Sequence, residues 1–205
     1  CEKYCYSLKA WRYPAAFFRQ LQNSLLIRHK RGQIAAAVEG IPQGLTVRLF
    51  VDGDFHSVGA LRFFMDLCKS RPDLAFYGYS KSWAEFLELN ADGYAWPDNY
   101  MTNASSGSRW NAQSGVARAF MALPVVRGSF EAVRVDKQHI ANRSYQDKDN
   151  RGSKEYRAEV RAGLKAAGHA KPFACSGNCG NCLPAGRHAC GSKDFDGITI
   201  GIGIH

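Results

Sequence analysis

Thr46-Val-Arg-Leu-Phe-Val-Asp52, followed by Gly53-Asp54 and Ser57, is the stretch that decides the fold. Its first seven positions are rich in β-branched and aromatic residues, which suits a buried strand. Asp52-Gly53-Asp54 turns the chain, and Ser57 is placed to cap a helix running to about Ser70. The same unit recurs downstream. Asp73–Gly78 predicts a second strand ending in Tyr79-Ser80-Lys81, with a helix from Ser82 to Leu89. Tyr100–Ala104 predicts a third, ending in Ser105-Ser106-Gly107, with a helix from about Gln113 to Met121. Phe130–Val135 predicts a fourth, ending at Asp136.

The flanks extend the pattern. Pro14 suits a first helical turn, and Phe17, Phe18, Leu21, Leu25 and Leu26 give an apolar face to a helix reaching Ile27. After the basic turn His29–Gly32, the segment Ile34–Val38 allows another short helix. Lys137–Gly152 is polar and charged and reads as a surface loop. Ser153 then opens a helix to Ala167, whose apolar face is Tyr156, Val160 and Leu164, and Gly168 stops it. Lys171–Ala174 is a brief extended segment. Ile198–His205 predicts a last strand, whose alternating Gly and Ile leave one face apolar and the other closely approached. Strands alternating with helices predict an α/β fold in a single domain spanning residues 1–205. The sheet is mostly parallel, or a partial (β/α)6-type barrel, with helices outside and a Cys-rich loop near the C-terminus.

That loop carries the most specific chemistry. Cys175-Ser-Gly-Asn-Cys179-Gly-Asn-Cys182 is followed closely by Cys190, and Cys1 and Cys5 form a second pair at the other end. Tight thiol spacing without a secretory signal favours metal over disulfides. Thiolates are soft ligands for iron–sulfur clusters or zinc. Zinc ribbons usually pair two Cys-x-x-Cys knuckles, and only Cys179 and Cys182 have that spacing, so an iron–sulfur cluster, 4Fe–4S in type, is preferred and zinc is the alternative. The ligand candidates are Cys1, Cys5, Cys175, Cys179, Cys182 and Cys190. Cys68 sits at helical spacing among apolar residues and reads as core. His188 reads as a surface residue, and His205 ends the chain.

In parallel α/β folds function collects at the carboxyl ends of strands. Here those ends carry Asp52, Asp54, Ser80, Lys81, Asn103, Ser105, Ser106 and Asp136. Asp52, Asp54, Ser80, Lys81 and Asn103 are the candidates for holding a substrate or cofactor. Each taken singly is also an ordinary turn or cap residue. The net charge of +9, from 27 Lys and Arg against 18 Asp and Glu, favours a polyanion such as nucleic acid, although no recognised binding motif is present. No apolar run is long enough to span a bilayer, so no membrane partner is expected. The chain begins at Cys1 without an initiator Met, which suggests that upstream residues have been removed.

Cys5-Tyr6-Ser7, Val51-Asp-Gly-Asp54-Phe55 and Phe76-Tyr-Gly-Tyr-Ser80-Lys81-Ser82, with the Cys-rich loop and the terminal His205, resemble the "gene product eighty-eight" family of phages and plasmids. The resemblance covers most of the chain in the same order. It implies a mobile-element origin, a cytoplasmic location in a bacterial host and a shared Cys-rich site, but no established activity. Cys175, Cys179 and Cys182 also resemble, in their Cys-x3-Cys-x2-Cys spacing, the motif of radical S-adenosylmethionine enzymes. They depart from it in lying near the chain end and in having Asn181 where an aromatic residue is usual. Three readings stay open: a protein whose termini share an iron–sulfur cluster; a radical enzyme binding S-adenosylmethionine at the strand-end rim; and a basic nucleic-acid-binding protein with a structural metal.

Overall fold

The computed structural model describes residues 11–141, 154–177, 189–192 and 196–204. Its helices are α1 Pro14–His29, α2 Arg31–Glu39, α3 Val58–Ser70, α4 Trp83–Ala91, α5 Ser114–Met121, α6 Lys137–Ala141 and α7 Lys154–Ala166. Its strands are β1 Thr46–Arg48, β2 Ala75–Ser80, β3 Tyr100–Ser105, β4 Val126–Arg134, β5 Pro172–Ala174 and β6 Thr199–Ile204. The strands form one parallel sheet in the order β1-β2-β3-β4-β6-β5, so the predicted parallel α/β class holds. Chain contacts group into two compact units. Among the described residues, no helix is long and apolar enough to cross a membrane.

The first unit takes the chain to Met101 and adds Gly107–Val125. Helix α3 begins as its sequence predicts, with the Ser57 hydroxyl accepting from the Ala60 N–H at 3.2 Å. It buries Leu61, Phe64, Met65, Leu67 and Cys68. Cys68 is thus a core residue, and burial pushes its thiol pKa up. The strand β1 is shorter than its composition suggests. It stops at Arg48 because Phe50 takes a φ of 54°, the left-handed region that bulky residues avoid. Packing holds it there: the Phe50 ring lies 4.8 Å from Phe55 and 5.1 Å from Phe64 between centroids. Phe86 joins Phe55, and Phe120 on α5 stacks on Trp83 of α4 at 5.1 Å. Helix α1 forms where predicted, but its apolar face is not core, since none of its residues is buried.

The second unit comprises Thr102–Ser106 and the chain from Val126 onward. Here β4 starts at Val126, four residues before the predicted Phe130. Its pairing with β3 shifts register between Thr102, opposite Val126, and Asn103, opposite Gly128. Arg127 is therefore the extra residue of a bulge, a device that re-aims a side chain. Gly128 lets β4 approach the start of β6 closely, because a Cβ there would lie 2.1 Å from the Ile198 carbonyl oxygen. The close approach expected along β6 is made by α7. A Cβ on Gly201 would meet Val160 at 2.7 Å and Leu164 at 2.8 Å, and one on Gly203 would meet Tyr156 at 2.5 Å. Tyr156, Val160 and Leu164 are the predicted apolar face, and they form a core cluster with Val135 and Ala174. The predicted loop after β4 begins instead as α6, tied to α7 by a 2.5 Å contact between His139 Nδ1 and Glu159 Oε2.

Candidate functional site

Two cysteines of the predicted metal site lie among the described residues, both in the second unit. Cys175 follows β5, and its backbone is held on both sides. Its N–H donates to the Gly201 carbonyl at 2.7 Å. Its carbonyl accepts from the Tyr156 hydroxyl at 2.9 Å, and that same hydroxyl accepts from the Gly203 N–H at 2.9 Å. The Cys175 sulfur accepts from the Gly177 N–H at 3.4 Å. Such a contact is a long hydrogen bond to sulfur. Cys190 is buried in a 3-10 turn, Ala189–Gly191.

Asn103 holds Cys190 from the sheet. Its side-chain N–H donates to the Cys190 carbonyl at 3.2 Å, and its oxygen accepts from Arg127 Nη2 at 2.7 Å. Asn103 and Arg127 are both buried. A guanidinium taken out of water needs hydrogen-bonding partners, and the bulge aims this one at Asn103. Sequence reasoning found Asn103 but missed Arg127 and Tyr156. The Arg127-Gly128 pair inside the run Val125–Phe130 was the available signal, since Gly inside a strand marks a bulge or a close approach. Tyr156 was read only as an apolar contact.

Among the described residues, no group of three or more His, Cys, Asp or Glu side chains is placed to hold a metal ion. Cys1, Cys5, Cys179, Cys182, His188 and His205 lie outside the described residues, so the predicted ligand set is represented there only by Cys175 and Cys190.

In the first unit, Asp54, Ser80 and Lys81 do come together. Asp54 Oδ1 accepts from the Phe55 N–H at 2.8 Å and the Ser80 hydroxyl at 2.9 Å, and Oδ2 accepts from the Lys81 N–H at 2.5 Å. Burial pushes the Asp54 carboxyl above its ordinary value, against the pull of these bonds. The Ser82 N–H donates to Ser80 Oγ at 3.0 Å and its hydroxyl to the Phe55 carbonyl at 2.7 Å. Asp54 thus clamps the turn after β1 to the start of α4. The Lys81 carbonyl accepts from the Ser108 hydroxyl at 3.0 Å. Its ammonium lies 3.7 Å from where a Cβ on Gly107 would stand. Asp52 Oδ2 accepts from Gln20 Nε2 at 2.8 Å. Asp136 caps the next turn, accepting from the Gln138 N–H at 2.7 Å.

A scan of protein families matches the Gene product 88 family over residues 1–187. No curated protein and no solved structure matches the chain. The radical S-adenosylmethionine resemblance in the Cys175–Cys182 spacing gains no support from these comparisons. The family match runs from the first residue through the Cys175–Cys182 loop, and the chain belongs to the Gene product 88 family.

Proposed function

We propose that the protein binds an iron–sulfur cluster through Cys175 and Cys190, joined by Cys179 and Cys182 and by the Cys1 and Cys5 pair. The observation that carries this reading is the anchoring of Cys175. Its backbone is fixed by Gly201 and Tyr156, and its sulfur accepts a backbone N–H. Amide hydrogen bonds to sulfur are a principal means by which proteins stabilise and tune thiolate-bound clusters. The donor set suits the group, since closely spaced thiolates favour iron–sulfur clusters. Asn103 and Arg127 support the same assignment by tying the Cys190 backbone to the sheet. A bound cluster supplies a cross-link between segments distant in sequence, and its binding energy adds to folding stability. The protein's own contribution is to hold Cys175 and Cys190 in fixed positions before the group arrives.

Anaerobic purification followed by iron, zinc and acid-labile sulfide analysis tests the proposal. A brown protein with broad visible absorbance and matched iron and sulfide is the expected result. Cys175→Ser and Cys190→Ser lower both contents, whereas Cys68→Ser leaves them unchanged. A colourless protein with stoichiometric zinc, or one with neither metal after reconstitution, refutes the cluster assignment.

A further inference from the structure

Between Glu2 and Glu39 the chain contains no acidic residue. Within that span, Trp11, Tyr13, Phe17 and Phe18 are 49%, 70%, 39% and 64% exposed. They are not scattered. The Trp11 and Phe17 rings meet edge to face at 6.2 Å between centroids, and Phe17 and Phe18 at 5.5 Å. Apolar surface of this extent on a helix is usually covered by something. Arg12 and Arg19 flank these rings in sequence, and Arg28, His29 and Lys30 follow at the far end of α1; all five are exposed. The positive field reaches into the neighbouring loop: burial first, and then the charges of Arg28 and Arg31, hold His56 below its ordinary pKa. The patch is fastened in place. The Trp11 indole N–H donates to the Gln20 side-chain oxygen, and Gln20 donates to Asp52.

We infer that this end of α1 is a binding surface for single-stranded nucleic acid. Unpaired bases present flat apolar faces on a polyanionic backbone, and an aromatic cluster on a helix that carries exposed arginines and no acidic residue matches both properties. The alternatives fit less well. Phe17, Leu21 and Arg28 follow one another at i, i+4 and i+11, so they share a helical face. Burying that face in lipid would carry a guanidinium with it. A second copy docking on the same face would bring two arginine-bearing helices without acidic residues against each other. In this assignment Asp52 is a positioning residue, since it holds Gln20 and through it Trp11. The inference does not depend on the cysteine site.

Fluorescence anisotropy with a labelled oligothymidylate, of about 20 nucleotides to exceed the size of a single-domain site, tests it. The full chain is expected to bind at low salt, to quench Trp11 emission on binding, and to lose affinity steeply as salt rises. Phe18→Ala weakens binding by about fivefold or more, as expected for loss of a stacking ring. Arg19→Gln weakens it and lowers the salt dependence by about one counterion. Neither side chain is buried, so circular dichroism should match that of the parent protein. Absence of binding at low salt overturns the inference. So does unchanged affinity in Phe18→Ala, which reduces the contact to general charge attraction. Sedimentation with phosphatidylserine vesicles in the absence of oligonucleotide binding overturns it in favour of a membrane surface. A dimer abolished by Phe18→Ala, again without oligonucleotide binding, overturns it in favour of self-association.

Discussion

Replacing Gly128 by alanine strikes the second unit at its tightest point. The new Cβ would lie 2.1 Å from the Ile198 carbonyl oxygen and 3.2 Å from the Ile198 nitrogen and carbonyl carbon. Carbon and carbonyl oxygen in contact sit about 3.3–3.6 Å apart, so β4 and the start of β6 must separate by more than about 1 Å. The obstacle is backbone, and no rotamer change relieves it. Separation strains two bonds, Ser129 N–H to the Ile198 carbonyl at 3.0 Å and Gly197 N–H to the Arg127 carbonyl at 2.7 Å. Losing both costs about 1 kcal/mol each, and overpacking adds about 1–3 kcal/mol. The expected destabilisation is about 3–5 kcal/mol. Urea denaturation followed by circular dichroism measures it. Gly59→Ala on α3 is the control, because a Cβ there meets nothing within 4 Å. That change should alter stability by less than about 1 kcal/mol. If Gly128→Ala falls within about 1 kcal/mol of the parent protein, the close approach of β4 to β6 is wrong.

Asp54→Asn sets an amide NH2 against the Lys81 N–H and is expected to cost about 1–3 kcal/mol in urea denaturation. With its pKa raised above 3.8, Asp54 binds its proton more tightly in the native state, so its stabilising contribution is complete below that pH. The contribution is lost as pH rises through the native pKa, and a denaturation series in pH should show this slope disappear in the Asn variant. His139 titrates above its ordinary 6.5, chiefly through its hydrogen bond to Glu159. The stabilisation from this pair is full below 6.5 and is lost as pH rises through the raised value. An NMR titration should place the His139 midpoint above 6.5, and Glu159→Gln should bring it down; an unchanged midpoint refutes the pairing. Arg127→Met strips a donor from buried Asn103 and should cost about 1–3 kcal/mol. Combined with Asn103→Ala it should cost less than the sum of the two, by at least about 0.5 kcal/mol, since the side chains form one network.

Much of the fold was legible because its signals are local. Ser57 caps α3 where its spacing placed it, Tyr156, Val160 and Leu164 face the core at helical intervals, and strands alternating with helices dictate a parallel sheet. The cysteine pattern and the family motifs are likewise properties of the linear chain. Two features were not legible, for one reason. The composition of Thr46–Asp52 suits a strand throughout, yet Phe50 turns out of it because Phe55 and Phe64, distant along the chain or across a turn, supply its packing. The apolar stripe of α1 looks like any core face, and only the packed structure reveals that none of its residues is buried.

The candidate sites divide in the same way. Residue types at strand ends were enough to nominate Asp54, Ser80, Lys81 and Asn103. What each one does depends on partners the chain order does not reveal. Asp54 spends its carboxylate on Phe55, Ser80 and Lys81, and Asp52 holds Gln20. Asn103 joins Arg127 to Cys190, 87 positions away in sequence. The sequence by itself determined the α/β class, the start of α3 and the thiol-rich pattern, because propensity, capping and residue type act over a few residues. Only the tertiary structure decided which polar side chains serve one another, because hydrogen bonds between distant strands are fixed by register, and a single bulge at Arg127 sets that register.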